Sequence, residues 1–132
     1  MQEIKGLGVG TDIEGIGRFS DLDRNEDSIF LNKIFTEKEL DYSFSKAKPC
    51  QHLAARYAGK EAVVKALCSL GRQSIGYRDI EILNDNKGIP KVNINYGKLN
   101  RGKNNNLKVD ISLSHSDGRA LAFAVAFDRR DE

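Results

Sequence analysis

The sequence predicts an α+β fold, helices packed against one face of a mainly antiparallel sheet. Two observations carry this. Helix signals crowd into residues 36–71, and apolar/polar alternation fills residues 79–127. The chain has 132 residues, of which 39% are hydrophobic and 30% charged. That balance suits a single domain over residues 1–132 with its own core, and argues against wholesale disorder.

The elements follow in order. Gly6 to Ile13 reads as a short, glycine-broken strand, with Leu7 and Val9 alternating. A weak helix is expected after Asp12, since Gly15 and Gly17 each cost up to about 1 kcal/mol relative to alanine in a helix interior. Arg18, Phe19 and Leu22 would continue it. An apolar stretch covers residues 29–35. Thr36 and Glu39 then match a capping box, which predicts a helix from Glu37 to about Lys46. Pro49 closes a linker. A long helix is expected from about Gln51 to Leu70, with Gly71 as its C′ residue.

Strand candidates are Asp79–Leu83, Lys91–Tyr96, Lys108–Ser114 and Arg119–Phe127. Turns are expected at Asp85–Gly88 and Ser116–Gly118. In the last strand every second residue from Ala120 to Ala126 is alanine. One of its faces is bulky and the other nearly flat. A flat face lets a helix pack closely, so this strand is expected to be central. Residues 98–106 are polar and basic, and read as a solvated loop. They lack the interleaved aromatics that stack bases.

Composition narrows the function. The net charge of +2 is too mild to argue for nucleic acid. The stretch from Met1 to Gly6 has no apolar core of signal-peptide length, and no apolar run approaches a membrane span. A cytoplasmic protein is the expectation, with Cys50 and Cys68 reduced rather than paired or zinc-binding.

The most informative stretch is Arg56-Tyr-Ala-Gly-Lys60-Glu61-Ala-Val-Val-Lys65-Ala66. On a helix, Tyr57, Glu61 and Lys65 share one face, a turn apart. Two readings stand for Glu61 and Lys65: an ordinary surface ion pair, or part of a magnesium-diphosphate site. Asp12 either caps the following helix or ligates a metal. Lys60 and Arg56 are either a solvated basic face or phosphate contacts. His115, beside a turn, is either a hydrogen-bonded structural residue or a phosphate contact. Taken together, Asp12 and Glu61 form a candidate carboxylate pair for magnesium. Lys65, Lys60, Arg56 and His115 are candidates to meet the remaining phosphate charge. Neither a P-loop nor a dinucleotide fingerprint is present, since Gly6-Leu-Gly-Val-Gly10 fails the required spacing.

The chain resembles the holo-acyl-carrier-protein synthases, the short type of 4′-phosphopantetheinyl transferase. Four stretches carry the resemblance: Gly10-Thr-Asp12-Ile13 followed by Arg18; Phe35-Thr-Glu-Lys-Glu39-Leu40; the Arg56–Ala66 stretch; and Ile111-Ser-Leu-Ser114-His115-Ser116. Asp79-Ile-Glu81-Ile and Gly88-Ile-Pro90 fit between them.

The resemblance implies the transferase-type α+β fold. It also implies transfer of 4′-phosphopantetheine from coenzyme A to a serine of apo acyl carrier protein, in support of fatty acid biosynthesis, with adenosine 3′,5′-bisphosphate released. It places Asp12 and Glu61 on Mg2+, makes Glu61 and Lys65 catalytic, and sets Arg56, Lys60, Lys65 and His115 against coenzyme A. Arg18 would dock the carrier protein. Glu61 and a magnesium-bound water are the two candidates for accepting the serine proton. The short members are typically trimers, which implies a homotrimer with its sites at subunit interfaces and the alanine-rich strand near its centre.

One departure stands out. Where the family often has a glutamate, this chain has Gly15, with Glu14 shifted by one. That implies a looser docking helix. The competing reading is a non-catalytic module binding an acidic protein through Arg18, Lys33 and Lys38, with no need of Asp12 and Glu61.

Overall fold

The computed structural model describes residues 2–72, 75–95 and 106–131. Its strands are β1 (Gln2–Gly15), β2 (Ile80–Asn84), β3 (Pro90–Ile94), β4 (Leu107–Ser116) and β5 (Arg119–Asp131). Its α-helices are α1 (Ser28–Ile34), α2 (Glu37–Phe44) and α3 (Pro49–Ser69). Two 3-10 turns cover Ile16–Phe19 and Tyr77–Asp79. All strand pairings are antiparallel. They form one sheet of order β1-β5-β4 and a second of β2 and β3, where a single sheet was expected.

β5 is the central strand, as its alanine alternation predicts. Ala120, Ala122, Ala124 and Ala126 are all fully buried in the chain's own core. Ala122, Ala124 and Ala126 cluster there with Ala58, Ala62, Val63, Ala66 and Leu67 of α3. The glycines of β1 have the same cause. A Cβ on Gly8 would lie 2.2 Å from the Ala66 carbonyl oxygen, and one on Gly10 only 2.1 Å from that of Ala62. Helix backbone and strand backbone therefore meet with no side chain between them.

Helix boundaries follow local chemistry. The Thr36–Glu39 capping box is present: Glu39 N donates to Thr36 Oγ1, and Thr36 N donates to Glu39 Oε1. α3 starts two residues before the expected point, because Pro49 sits in its first turn instead of in a linker. Its end is a Schellman motif. Gly71 has φ +83°, Arg72 N donates to Leu67 O, and Gly71 N donates to Cys68 O. β4 and β5 are joined by Asp117-Gly118, both with positive φ, as a two-residue hairpin requires.

One expected element is corrected. No helix begins after Asp12. β1 continues to Gly15, paired throughout with β5, and only the 3-10 turn Ile16–Phe19 follows. The two glycines disfavour helix, and the β5 ladder offers their backbone better partners. Asp12 is thus a mid-strand residue and caps nothing. The expected loop at residues 98–106 and the end of the strand at Tyr96 lie outside the described residues, apart from Asn106.

Candidate active site

Asp12 and Glu14 alternate along β1 and so share the face that meets α3. Lys65 Nζ, across from them, donates to Asp12 Oδ1 at 3.2 Å and to Thr11 O at 2.9 Å. The Lys65 side chain is 53% exposed and that of Asp12 only 12%. Asp12 Oδ2 is buried without a hydrogen-bond partner. Its neighbour Glu14 is also mostly buried and pairs with Arg18 across one turn. Burial pushes the Glu14 carboxyl up to about 7; a hydrogen bond to Asp12 and the Asp12 charge push the same way, and Arg18 opposes them.

Glu61 lies close enough to add to that repulsion. The Glu61 carboxylate, with burial and Tyr57, holds the Tyr77 hydroxyl above its ordinary value. Among the described residues, no three His, Cys, Asp or Glu side chains converge as a ready metal cage. The donor set is instead one of oxygen atoms only, with an orphaned buried carboxylate oxygen at its centre. That suits a hard cation taking one or two carboxylates and completing its shell from a substrate's phosphates.

The expected cations do not gather in one place. Nine residues of helix turn Lys65 through about 180° from Arg56. Lys60, expected against coenzyme A, is fully buried. It donates to Glu39 Oε1 at 2.8 Å, to Tyr77 O at 2.8 Å and to Ile80 O, so its three protons are committed inside the protein. Arg56, also expected against coenzyme A, is 2% exposed. It stacks 4.3 Å above the Tyr42 ring and donates to Asn84 Oδ1 and His52 O. Burial lowers both cations from their ordinary values, with Glu39 opposing for Lys60 and Tyr42 for Arg56.

His115 is exposed on β4, two strands from β1. Its charge and those of Arg56 and Lys46 all bear on His52, whose pKa burial already lowers. Arg18 is 62% exposed, close to the rings of Tyr57 and Phe19. Asp12, Glu61 and Lys65 are therefore brought together, with Arg18 alongside, while Arg56, Lys60 and His115 lie elsewhere. Glu14 was missed as a site residue because the strand was expected to end at Ile13; strand alternation past Asp12 would have found it. Tyr77 gave no signal in sequence.

Residues 8–126 match the 4′-phosphopantetheinyl transferase superfamily, and the chain belongs to that family. Within it, the chain is similar to a holo-acyl-carrier-protein synthase of Thermodesulfovibrio yellowstonii. The two are 42% identical, over 89% of this chain and 96% of that protein. Among solved structures it resembles the Neisseria meningitidis synthase, with a TM-score of 0.71, 31% identity, and 90% of this chain and 96% of that one covered. The Helicobacter pylori synthase, solved with coenzyme A, also has a TM-score of 0.71, at 26% identity over 89% of this chain and 98% of that one.

Proposed function

We propose that this protein transfers the 4′-phosphopantetheine arm of coenzyme A to a serine hydroxyl of an apo acyl carrier protein and releases adenosine 3′,5′-bisphosphate. The carrying observation is the Asp12–Lys65 contact beside an unpartnered, buried Asp12 Oδ2. Membership of the transferase family supports the same reading.

Asp12 and Glu61 would hold Mg2+, whose charge, when bound, neutralises the diphosphate. Lys65, whose ammonium donates to Thr11 O and is half exposed, keeps that charge at the solvent edge, where negative charge builds on the departing bisphosphate. In the transfer, the serine oxygen bonds to the phosphorus next to the pantetheine arm. The bond from that phosphorus to the oxygen bridging the diphosphate breaks, that oxygen departs with the bisphosphate, and the serine proton passes to Glu61 or to water. Arg18, exposed beside the same carboxylates, meets the acidic carrier protein.

Lys60 has no direct part in this. It fixes α3 from within. Arg56 and His115 serve coenzyme A on the other side of α3, at a site completed by a second copy of the chain. A copy also explains the outer face of the β1-β5-β4 sheet, where Leu7, Val9, Ile13, Leu121 and Phe123 are exposed. That bulky face, and not the alanine face buried under α3, belongs at the centre of a homotrimer. Residues 1–132 act as one unit in it. Among the described residues no helix is long and apolar enough to cross a membrane, and a cytoplasmic enzyme is the proposed setting.

The test is to mix the protein with apo acyl carrier protein, coenzyme A and magnesium and weigh the carrier by intact mass spectrometry. A gain of one phosphopantetheine that a chelator abolishes is expected. A folded protein that leaves every carrier unmodified overturns the proposal.

A further inference from the structure

Arg18 lies on a short turn with two glycines before it, yet it is held from several sides. Ile16 N donates to Gly118 O at 2.8 Å, which ties the start of the 3-10 turn to the β4-β5 hairpin. Phe19, on the other side of Arg18, is buried and meets Phe35 edge-on, with ring centroids 6.4 Å apart. The side chain is gripped as well. Its Nη1 donates to Glu14 Oε1, and its guanidinium carbon lies 5.6 Å from the Tyr57 ring centroid and 5.9 Å from that of Phe19. Glu14 is mostly buried at the end of β1, while Arg18 is mostly exposed. A fixed carboxylate and two packed rings, 5.8 Å apart, thus form a seat for a cation that faces solvent.

We propose that Glu14 is a positioning residue for carrier-protein docking: it holds one edge of the Arg18 guanidinium so that another edge is presented, already ordered, to a carboxylate of the acidic partner. The inference rests on the docking role given to Arg18 above. A guanidinium carries five N–H donors in a rigid, planar fork, so one edge can be engaged while a second is free to grip a carboxylate. An untethered arginine on a surface samples many rotamers, and fixing such a side chain at an interface typically costs about two- to tenfold in affinity. Here Glu14 and the two rings impose that order before the partner arrives. Glu14 is itself largely withdrawn from solvent, so its own charge is not set against the incoming acidic surface.

Binding of fluorescently labelled apo acyl carrier protein is followed by anisotropy at pH 8, above the Glu14 value of about 7. A chelator is present and coenzyme A is absent, so the metal site takes no part. Arg18→Ala is expected to weaken binding about fivefold or more. Glu14→Gln keeps the shape and removes the charge, and is expected to weaken binding about threefold with the unfolding midpoint little changed. Tyr57→Leu removes the ring face but keeps apolar bulk, and is expected to weaken binding by a similar factor. In an Arg18→Ala background neither substitution is expected to add a loss, because both act through Arg18. Wild-type or tighter binding in Glu14→Gln, or a full additional loss in the double variant, overturns the proposal and leaves Arg18 as the docking residue. Tighter binding would make Glu14 a competitor of the carrier for Arg18. Undiminished binding in Arg18→Ala, or no binding by the wild type, overturns both.

Discussion

Lys60 and Lys65 stand five residues apart on one helix, in one motif, and live in different solvents. Lys60 is fully buried with Glu39, and that carboxylate also caps α2 and accepts from Ile82 N at 2.8 Å. Lys65 is half in water, with a partly buried Asp12. The difference teaches that charge type does not decide role. Lys60 joins α2, the Tyr77 turn and β2 into one body, and Lys65 leaves its charge available to a ligand. The buried pair also carries a desolvation cost that only close geometry offsets.

The comparison breaks most sharply at Lys60. Lys60→Met leaves Glu39 charged and unpaired in the core and is expected to cost about 3–5 kcal/mol in denaturant unfolding. A loss under about 1 kcal/mol would mean Glu39 has another route to satisfaction. Lys65→Ala is expected to do the reverse. Stability should change by less than about 1 kcal/mol, while kcat falls about 10²–10³-fold in a carrier-modification assay. If the two substitutions gave the same pattern, the division between them would be wrong.

Gly10→Ala tests the frame that brings Asp12 to Lys65. Its Cβ would meet the Ala62 oxygen at 2.1 Å and the Ala66 nitrogen at 2.7 Å. Backbone must move, which typically costs about 1–3 kcal/mol in thermal unfolding, and a fall in activity is expected alongside.

The smallest effect concerns His52, on the Lys60 side. Burial and the neighbouring cations Arg56, Lys46 and His115 lower its pKa below the ordinary 6.5. The unfolded chain then takes up the proton first. The contribution of neutral His52 is intact above pH 6.5 and declines as pH falls toward the folded value. Unfolding curves from pH 8 to 5 should show a shallower acid loss in His52→Gln than in wild type.

Much of this was legible in sequence. The capping box, the Gly71 stop and the alanine alternation each fix a structure through local chemistry, and each appears where expected. Asp12, Glu61 and Lys65 were readable too, because strand and helix periods place them on facing surfaces. Lys60 and Arg56 were not. Their burial depends on Glu39 and Asn84, 21 residues before Lys60 and 28 after Arg56, and no local rule reports such partners. Glu14 was hidden by a strand that outlasts its propensity, since the β5 ladder holds Gly15 extended.

The two-sided character of β5 has a bearing on folding fidelity. If β5 slipped by one residue against its neighbours, Leu121, Phe123 and Val125 would turn inward, beneath a helix seated so close that Gly8 and Gly10 leave no room even for a methyl group. The alanines would turn outward and lose their only packing. A misaligned strand therefore cannot close the core, so the chain checks its own register as it folds.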